Sequence, residues 1–386
     1  MASSAAVLAG KQKRVRGRRS RQTERRRKRR KSTVHSLLVS MDVPANTSPP
    51  LRADLNNTLL LLAGVTPKGS KGTIHIDWAN MPESLDMMYG GKTASGARRG
   101  KRKGDDRRQE RKKRQCEAFA SAITALHLPK GAIIVDFGCG SCGLTLPLAY
   151  HFPQYQFVGV DLKTEALELM EQRARIARLE NVGVSCGTIE AYTGVFSLVI
   201  SLHACGAASD AAIEQAVNRS MPYFIAPCCI GKVKFNMSSS PSLLLPTTTP
   251  KEGYINRTSA AMSGSVRCKD MKYPRSKWLS RHLEYVLKQR GDTVDKTKNK
   301  NHCHEMYADL AAGADFSVSF STTSPGNDAC TEEVISDRVF YESSSAIIGM
   351  DRNKWAAEMG GYEVHLCTMP GLLTSAKSDM LIGWKK

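Results

Sequence analysis

Two carboxylates and a set of glycines have the spacing of a ligand site in this sequence. Asp136 ends an apolar run, and Gly138, Gly140 and Gly143 follow it closely. Asp161 ends the next run of apolar, β-branched residues. Glycines let the backbone approach a ligand because no Cβ lies in the way. A carboxylate at the end of a second strand accepts hydrogen bonds from both hydroxyls of a ribose, so this spacing predicts a site for an adenosine-containing cofactor.

Two cofactors fit this spacing, a nicotinamide dinucleotide and S-adenosylmethionine. The glycines satisfy the G-x-G-x-x-G pattern of dinucleotide sites, and Asp161 follows at close to the required distance. Asp136 is unfavourable for a dinucleotide, because its carboxylate would lie beside an anionic pyrophosphate. S-adenosylmethionine instead brings an ammonium group and a sulfonium group, for which an acidic residue is favourable. The sequence therefore favours S-adenosylmethionine, with an NAD-dependent reductase as the weaker alternative.

Histidine and cysteine residues follow the fourth and fifth predicted strands. His203 and Cys205 follow the fourth strand, and Cys228 and Cys229 follow the fifth. These strands are neighbours in the expected sheet, so their carboxyl ends bring the four side chains to one edge. Zinc prefers these ligand types, but the spacing matches no zinc module. We therefore predict small, polarizable side chains that line a substrate pocket or fill the core, with a metal site as the alternative.

His203 and Cys205 are the candidate catalytic residues. Histidine titrates in the range in which a base removes a proton from a hydroxyl or amide acceptor. The alternative is a histidine that hydrogen-bonds to the backbone and holds the loop. A cysteine nucleophile would need a basic partner, which His203 could supply. The candidate substrate contacts are Cys228, Cys229 and Lys232.

The elements predicted around these residues alternate between strand and helix, as in βαβ units. The predicted strands are 133–136, Phe157–Val160, Val182–Cys186, Phe196–Leu202, Tyr223–Ala226, Gly361–Met369 and Met380–Trp384. The predicted helices are Arg107–Leu128, Thr164–Leu179, Ser209–Arg219 (capped by Ser209 or Asp210) and Ala346–Met359. This order predicts an α/β fold with a Rossmann-like seven-stranded sheet, helices on both faces and an antiparallel last strand.

The order of the motifs resembles one branch of the class I S-adenosylmethionine-dependent methyltransferases. The segments that carry the resemblance are DFGCGSCG, GVDL, HACGAASD, APCCIGK, YPRSKWL, GYEVHL and SDMLIGWK. That branch contains the methyltransferase domain of glutathione S-transferase C-terminal-domain-containing proteins and related methyltransferase-like proteins. The H-x-C-G…D pattern with the cysteine pair is similar, more distantly, to tRNA 2′-O-methyltransferases. The resemblance covers about 107–386, and Ser209 replaces the threonine that is usual before the aspartate of the fourth motif.

The resemblance implies the residues of the cofactor site. Those that would hold the methionine part, by side chain or backbone, are Asp136, Phe137, Gly138, Cys139 and Gly140. Those that would contact the ribose hydroxyls and the adenine are Asp161, Leu162, Thr188 and Ile189. The alternative for Asp161 is a carboxylate that caps the turn after its strand.

Basic residues are concentrated in two runs. Lys and Arg number 56 against 36 Asp and Glu, and Lys11–Lys31 and Arg98–Arg114 hold this excess. A run such as Arg25–Lys31 repels itself and has nothing to bury, so we predict a basic disordered tail over 1–50. The tail suits phosphate binding to RNA and nuclear import equally.

The sequence predicts two further regions after this tail. Residues 51–106 form a poorly defined extension, and 107–386 form the methyltransferase domain, with long insertions at about 236–270 and 293–333. Eleven cysteines without a secretory segment predict an intracellular protein, cytoplasmic or nuclear. Apolar runs such as Leu59–Val65 are too short to span a membrane, so no membrane partner is predicted.

The sequence as a whole predicts a methyltransferase that uses S-adenosylmethionine. The predicted acceptor is RNA, either tRNA or ribosomal RNA, bound through Lys11–Lys31 and Arg98–Arg114. A protein acceptor is one alternative. A non-catalytic RNA-binding scaffold on the same fold is another, because fold alone does not establish chemistry.

Overall fold

The computed structural model describes residues 23–43, 51–64, 74–86, 105–202, 204–227, 230–233, 271–291, 296–314, 337–372 and 378–385. The strands are β1 (Ala53–Asp54), β2 (Ile133–Phe137), β3 (Gln156–Asp161), β4 (Val182–Cys186), β5 (Leu198–Leu202), β6 (Tyr223–Ala226), β7 (Tyr362–Thr368) and β8 (Asp379–Lys385). The helices are α1 (23–40), α2 (Leu55–Leu62), α3 (Asp105–Ala125), α4 (Thr145–His151), α5 (Thr164–Ile176), α6 (Ala207–Asn218), α7 (Lys277–Gln289), α8 (Lys296–Ala314) and α9 (Asp337–Gly360). Two short 3-10 helices are Glu83–Leu85 and Ile230–Val233.

The strands form one sheet in the order β1-β7-β8-β6-β5-β2-β3-β4. β8 runs antiparallel to β6 and β7, and the other pairs are parallel. The seven predicted strands are therefore present with an antiparallel last strand. The sequence missed the two-residue strand β1, which lengthens the sheet beyond β7. The strand order reverses between β2 and β5, and open parallel sheets bind ligands at such a switch point.

Alternate residues of the central strands face opposite layers of helices. Ile134 of β2 belongs to a core that includes Phe119 of α3 and Leu148 of α4. Its neighbour Val135 belongs to another core, with Ile213 of α6. Successive side chains of a strand point to opposite faces, so an apolar run of this kind is buried on both sides. The predicted α/β fold with helices on both faces is confirmed.

Helix α1 is packed against the C-terminal helices. Val34, Leu37 and Leu38 are buried in one core with residues of α7, α8 and α9. These positions recur at the spacing of one helix face. The prediction of a disordered tail over 1–50 is therefore wrong for residues 23–40. The helix was not predicted because the apolar stripe is short and directly follows the basic run.

Two carboxylates on the neighbouring helices offset part of the charge of α1. The ion pairs join Arg27 and Lys31 to Asp337, and Arg29 and Arg30 to Asp309. Self-repulsion of the basic run was the reason to expect disorder. Pairing with acids that lie far away in the sequence lowers that repulsion.

Helix α8 occupies part of the predicted insertion at 293–333. Its residues Tyr307, Leu310 and Ala311 are fully buried in the core that contains α1. The prediction of a surface insertion is wrong for this helix. The sequence indicated a loop because the start of the helix is rich in Lys and Asn. Residues 236–270 and 315–333 lie outside the described part of the chain.

The extension before α3 contacts the sheet and α3 at several points. Arg52 forms an ion pair with Asp379 of β8, with 2.7 Å between Nε and Oδ1, and both side chains are buried. Further along, the indole N–H of Trp78 donates to Glu117 of α3 at 2.9 Å. The described parts of 51–106 are therefore attached to the domain through the sheet, through α9, where the Glu342 carbonyl accepts from Arg52, and through α3. None of the described helices is long and apolar enough to cross a membrane.

Candidate active site

The glycine loop begins where β2 ends and passes close to β3. The backbone N–H groups of Gly138 and Cys139 donate to the carbonyl of Val160 at 2.8 and 3.2 Å. Gly138 and Gly140 have φ values of +74° and +54°, a conformation that a side chain disfavours. The predicted need for glycine at these two positions is explained by this backbone. The loop thus lies beside the end of β2, at the switch point of the sheet.

Asp136 lies at the end of β2 and is 1% exposed. Its Oδ2 accepts a hydrogen bond from the Thr145 hydroxyl at 2.5 Å, whereas its Oδ1 is buried with no partner among the described residues. Burial, together with the nearby charge of Asp161, raises the pKa of Asp136 to about 7, although the Thr145 hydrogen bond lowers it. A buried acceptor without a donor is unfavourable, and the ammonium group of a ligand would satisfy it.

Asp161 lies at the end of β3 and connects two turns. Its Oδ2 accepts from the N–H of Gly140 at 2.8 Å, and its Oδ1 accepts from the N–H of Lys163 at 3.0 Å. The second bond is the turn-capping interaction considered as an alternative. Each carboxylate oxygen has further acceptor capacity, so capping leaves room for ribose hydroxyls. Leu162 is 43% exposed and offers an apolar surface beside Asp161.

The predicted adenine contacts follow β4, at the same edge of the sheet. The N–H of Gly187 donates to the Asp161 carbonyl at 3.1 Å, which places Thr188 and Ile189 next to the end of β3. The carbonyl of Ile189 accepts from the side-chain amide of Gln215 at 2.7 Å. The structure therefore brings the residues predicted for ribose and adenine to one place.

The loops after β5 and β6 contact each other. A Cβ at Gly206 would lie 3.3 Å from the backbone carbon of Lys232, and both Cys205 and Lys232 are partly exposed. His203, Cys228 and Cys229 lie outside the described residues, so their predicted roles stay predictions. No group of three His, Cys, Asp or Glu side chains with metal-binding geometry occurs in the part of the chain that the structure describes.

Sequence reasoning missed a buried polar cluster beneath these loops. Asp210 accepts from Arg352 Nε at 3.0 Å and from the Tyr273 hydroxyl at 2.9 Å. Arg352 also donates to the carbonyl of Gly206 at 2.9 Å. Helix α6 begins at Ala207 with Gly206 at its N-cap, so Ser209 and Asp210 both lie inside the helix and neither caps it, contrary to the prediction. The Y-P-R-S segment that contains Tyr273 was the signal in the sequence.

The same segment is held by two acids of α9. Asp351 accepts from the backbone N–H groups of Arg275 and Ser276 at 2.9 and 2.8 Å. Glu358 accepts from the N–H groups of Lys277 and the following residue at 2.8 Å each. The free N–H groups at the start of α7 are thus satisfied by α9. Burial raises the pKa of Asp351 to about 6, against the hydrogen bonds from Ser276 and Arg275.

A family comparison agrees with this geometry. Residues 111–236 match the model of a family described as a methyltransferase domain. The glutathione S-transferase C-terminal domain-containing protein of Xenopus laevis is 28% identical over 165 residues, which are 43% of this chain and 25% of the relative. Its homolog in Drosophila pseudoobscura pseudoobscura is 35% identical over 128 residues, 33% of this chain and 22% of the relative. The chain thus spans about a quarter of the length of these curated relatives.

Solved structures with partial likeness include two methyltransferases. An rRNA methylase from Streptococcus thermophilus is 21% identical, with 25% of this chain and 62% of that chain covered and a TM-score of 0.22. The S-adenosylmethionine-dependent methyltransferase SibL is 18% identical, with 28% and 38% covered and a TM-score of 0.23.

The strand order, the glycine loop and the two carboxylates define a class I methyltransferase domain. Residues 111–236, which match the family model, therefore form a methyltransferase domain, and the cofactor of this domain is S-adenosylmethionine. The residues present fit that cofactor. The buried Oδ1 of Asp136 has no partner among the described residues, and it can accept a hydrogen bond from the positively charged ammonium group of S-adenosylmethionine.

Proposed function

We propose that this chain transfers a methyl group from S-adenosylmethionine to RNA. The observation that most strongly supports S-adenosylmethionine as the methyl donor is the pair of acids at the ends of two adjacent strands. Asp136 has a buried oxygen without a described partner, and Asp161 holds the glycine loop while it keeps acceptor capacity. When bound, S-adenosylmethionine supplies an electrophilic methyl carbon and leaves as S-adenosylhomocysteine.

The chain contributes positioning and a proton acceptor to this reaction. Asp136 orients the methionine part and Asp161 orients the ribose, because both acids accept hydrogen bonds at fixed strand ends. The acceptor forms its bond to the methyl carbon as the carbon–sulfur bond breaks, so alignment of the two molecules dominates the rate. His203 is the proposed base for the proton that a hydroxyl or amide acceptor loses, with Cys205 beside it. Lys232, Cys228 and Cys229 are the proposed substrate contacts.

Exposed basic residues support RNA as the acceptor. Arg25, Arg26 and Lys28 are exposed on α1, and Arg107 and Arg108 are exposed at the start of α3. They belong to the two runs, Lys11–Lys31 and Arg98–Arg114, that hold the net positive charge of the chain. Phosphate backbones bind such surfaces by releasing counterions. A protein acceptor, and a scaffold that binds RNA without methylating it, are the competing proposals. Cytoplasm or nucleus is the proposed location.

Transfer of labelled methyl groups tests this proposal. The purified protein is incubated with methyl-labelled S-adenosylmethionine and an extract, and the products are digested with ribonuclease or protease. Label that ribonuclease releases supports an RNA acceptor, and label that only protease releases identifies a protein acceptor. Binding of S-adenosylhomocysteine without any transfer supports the scaffold. Binding of NADH instead of S-adenosylhomocysteine contradicts the proposed cofactor.

A further inference from the structure

A buried arginine joins the glycine loop to a segment that precedes the domain. Arg173 of α5 is 1% exposed. Its Nε donates to the carbonyl of Ser84 at 2.7 Å, and its Nη2 donates to the carbonyl of Asp86 at 2.8 Å. Its Nη1 contacts the carbonyl of Ser141, which lies inside the glycine loop. One side chain therefore holds two segments that are far apart in the sequence.

An apolar contact accompanies these hydrogen bonds. Leu85, between the two carbonyls, is fully buried in a cluster with Cys142 and Met170. Cys142 has a φ of +59°, a left-handed conformation that is unfavourable for a residue with a side chain. Such backbone persists only where its surroundings hold it in place. Segment 84–86 and α5 provide those surroundings beneath the glycine loop.

The other side of the loop is held by the proposed ribose ligand. Asp161 accepts from the N–H of Gly140, and Arg173 donates to the carbonyl of the next residue, Ser141. Consecutive residues of the loop are thus fixed from β3 and from α5. A buried guanidinium is costly unless its N–H groups are satisfied, so the three carbonyls and the arginine depend on one another.

We propose that Arg173 is a positioning residue for S-adenosylmethionine and that segment 84–86 is part of the cofactor site. This segment lies outside residues 111–236, which match the methyltransferase family. Without Arg173 the Ser141 carbonyl loses its buried donor, and the loop that approaches the methionine part relaxes. The basic start of α3 is coupled to the same segment, because Gln109 donates to the Asp86 carboxylate at 3.3 Å. Cofactor binding therefore strengthens the attachment of this region.

Substitutions on one helix separate positioning from general stability. Arg173→Gln removes the charged donor, Arg173→Lys keeps the charge with fewer donors, and Arg175→Gln changes an exposed arginine on the same helix. Calorimetry with S-adenosylhomocysteine should show affinity at least about tenfold weaker for Arg173→Gln, intermediate for Arg173→Lys and unchanged for Arg175→Gln. Leu85→Ala, which changes segment 84–86 and not α5, should also weaken the affinity for S-adenosylhomocysteine. In a methyl-transfer assay, Arg173→Gln should raise KM for S-adenosylmethionine more than it lowers kcat.

Tryptic cleavage within Arg98–Arg114 gives a readout that does not depend on the cofactor. Arg173→Gln should be cleaved there faster than Arg175→Gln in the absence of any ligand, and S-adenosylhomocysteine should slow the cleavage of the wild-type protein. Equal affinity of Arg173→Gln and the wild-type protein, or equal weakening by Arg175→Gln, overturns the proposal. If the wild-type protein does not bind S-adenosylhomocysteine, the cofactor assignment fails, and unequal cleavage of the two variants still supports the connection. Equal cleavage overturns it.

Discussion

Arg352 and Asp210 form an ion pair in the interior of the protein, with 3.0 Å between Nε and Oδ1. The two side chains are 0% and 1% exposed. They join α9, near the C-terminus, to the start of α6, directly after the loop that contains Cys205. The signature aspartate of the H-x-C-G…D motif therefore supports the loop after β5 from beneath. Its partners are a charged side chain and the Tyr273 hydroxyl.

Breaking this pair should destabilise the protein strongly. Arg352→Met leaves the Asp210 carboxylate buried without its cation, and such changes cost about 3–5 kcal/mol. Chemical denaturation should show this loss in the free energy of unfolding. The double variant Asp210→Leu with Arg352→Met should recover much of it, because no unpaired charge remains. A double variant less stable than the sum of the single variants would contradict this account.

The affinity for S-adenosylhomocysteine should rise with pH through about 7. Burial holds the pKa of Asp136 near 7 in the free protein, and only the charged form attracts the ammonium group of the ligand. Affinity should therefore fall about tenfold from pH 8 to pH 6, as the ionised fraction falls. Calorimetry at several pH values checks this. Thr145→Val removes a hydrogen bond that lowers the pKa of Asp136, so it should move the midpoint to higher pH. An affinity that does not vary with pH would rule out this role.

The same carboxyl should make the stability of the ligand-free protein depend on pH. Its pKa is raised from 3.8 to about 7 in the folded state, so the stability that it contributes is complete below pH 3.8 and is lost as pH rises through about 7. The size of this change is on the order of 4 kcal/mol. Asp136→Asn should remove this dependence and be the more stable protein at pH 8. Denaturation of both proteins at pH 5 and pH 8 makes the comparison.

Asp161→Ala should weaken cofactor binding by several-fold to a hundredfold. The change removes the proposed ribose acceptor and the partner of the Gly140 N–H, and lost charged hydrogen bonds cost about 1–3 kcal/mol. Glu165→Ala, in the first exposed turn of α5, is the matched control and should bind normally. Calorimetry with S-adenosylhomocysteine measures both variants. Similar effects of the two substitutions would show that charge near α5, and not the specific contact, determines binding.

The apolar face of α1 should matter more for stability than its ion pairs. Leu37 is fully buried, and Leu37→Ala should cost about 2–5 kcal/mol. Asp337→Asn breaks partly exposed pairs with Arg27 and Lys31 and should cost less than about 1 kcal/mol. Chemical denaturation ranks the two variants. The reverse ranking would mean that charge and not apolar packing attaches the helix.

The parts of the fold that the sequence could predict are those with a strong local pattern. The apolar runs that end in Asp136 and Asp161 predicted two strands and a cofactor site at their carboxyl ends. The final pair of strands was predicted from similar apolar runs. Helix α1 was missed because three apolar residues follow a long basic run and their burial depends on helices hundreds of residues away. Helix α8 was missed for a similar reason.

The candidate site divides in the same way. The two acids proposed for the cofactor could be picked out of the sequence because each lies at a strand end, where backbone geometry determines its position. Arg173 and Arg352 gave no such signal, because each is an arginine in an ordinary helical segment. Their importance comes from carbonyls and carboxylates supplied by distant parts of the chain. Contacts of this kind are set by the tertiary structure alone.

The position of β1 at the sheet edge has a consequence for synthesis on the ribosome. β1 pairs with β7, and Arg52, which precedes β1, forms an ion pair with Asp379 of β8. The first described strand therefore cannot pair until the last two strands have been synthesised. Helix α1 likewise cannot bury its apolar face until α8 and α9 have been synthesised. The nascent chain therefore carries the basic segment of α1 without its final partners until α8 and α9 have been synthesised. Long-range contacts of this kind form late, which exposes that segment to chaperones and polyanions during translation.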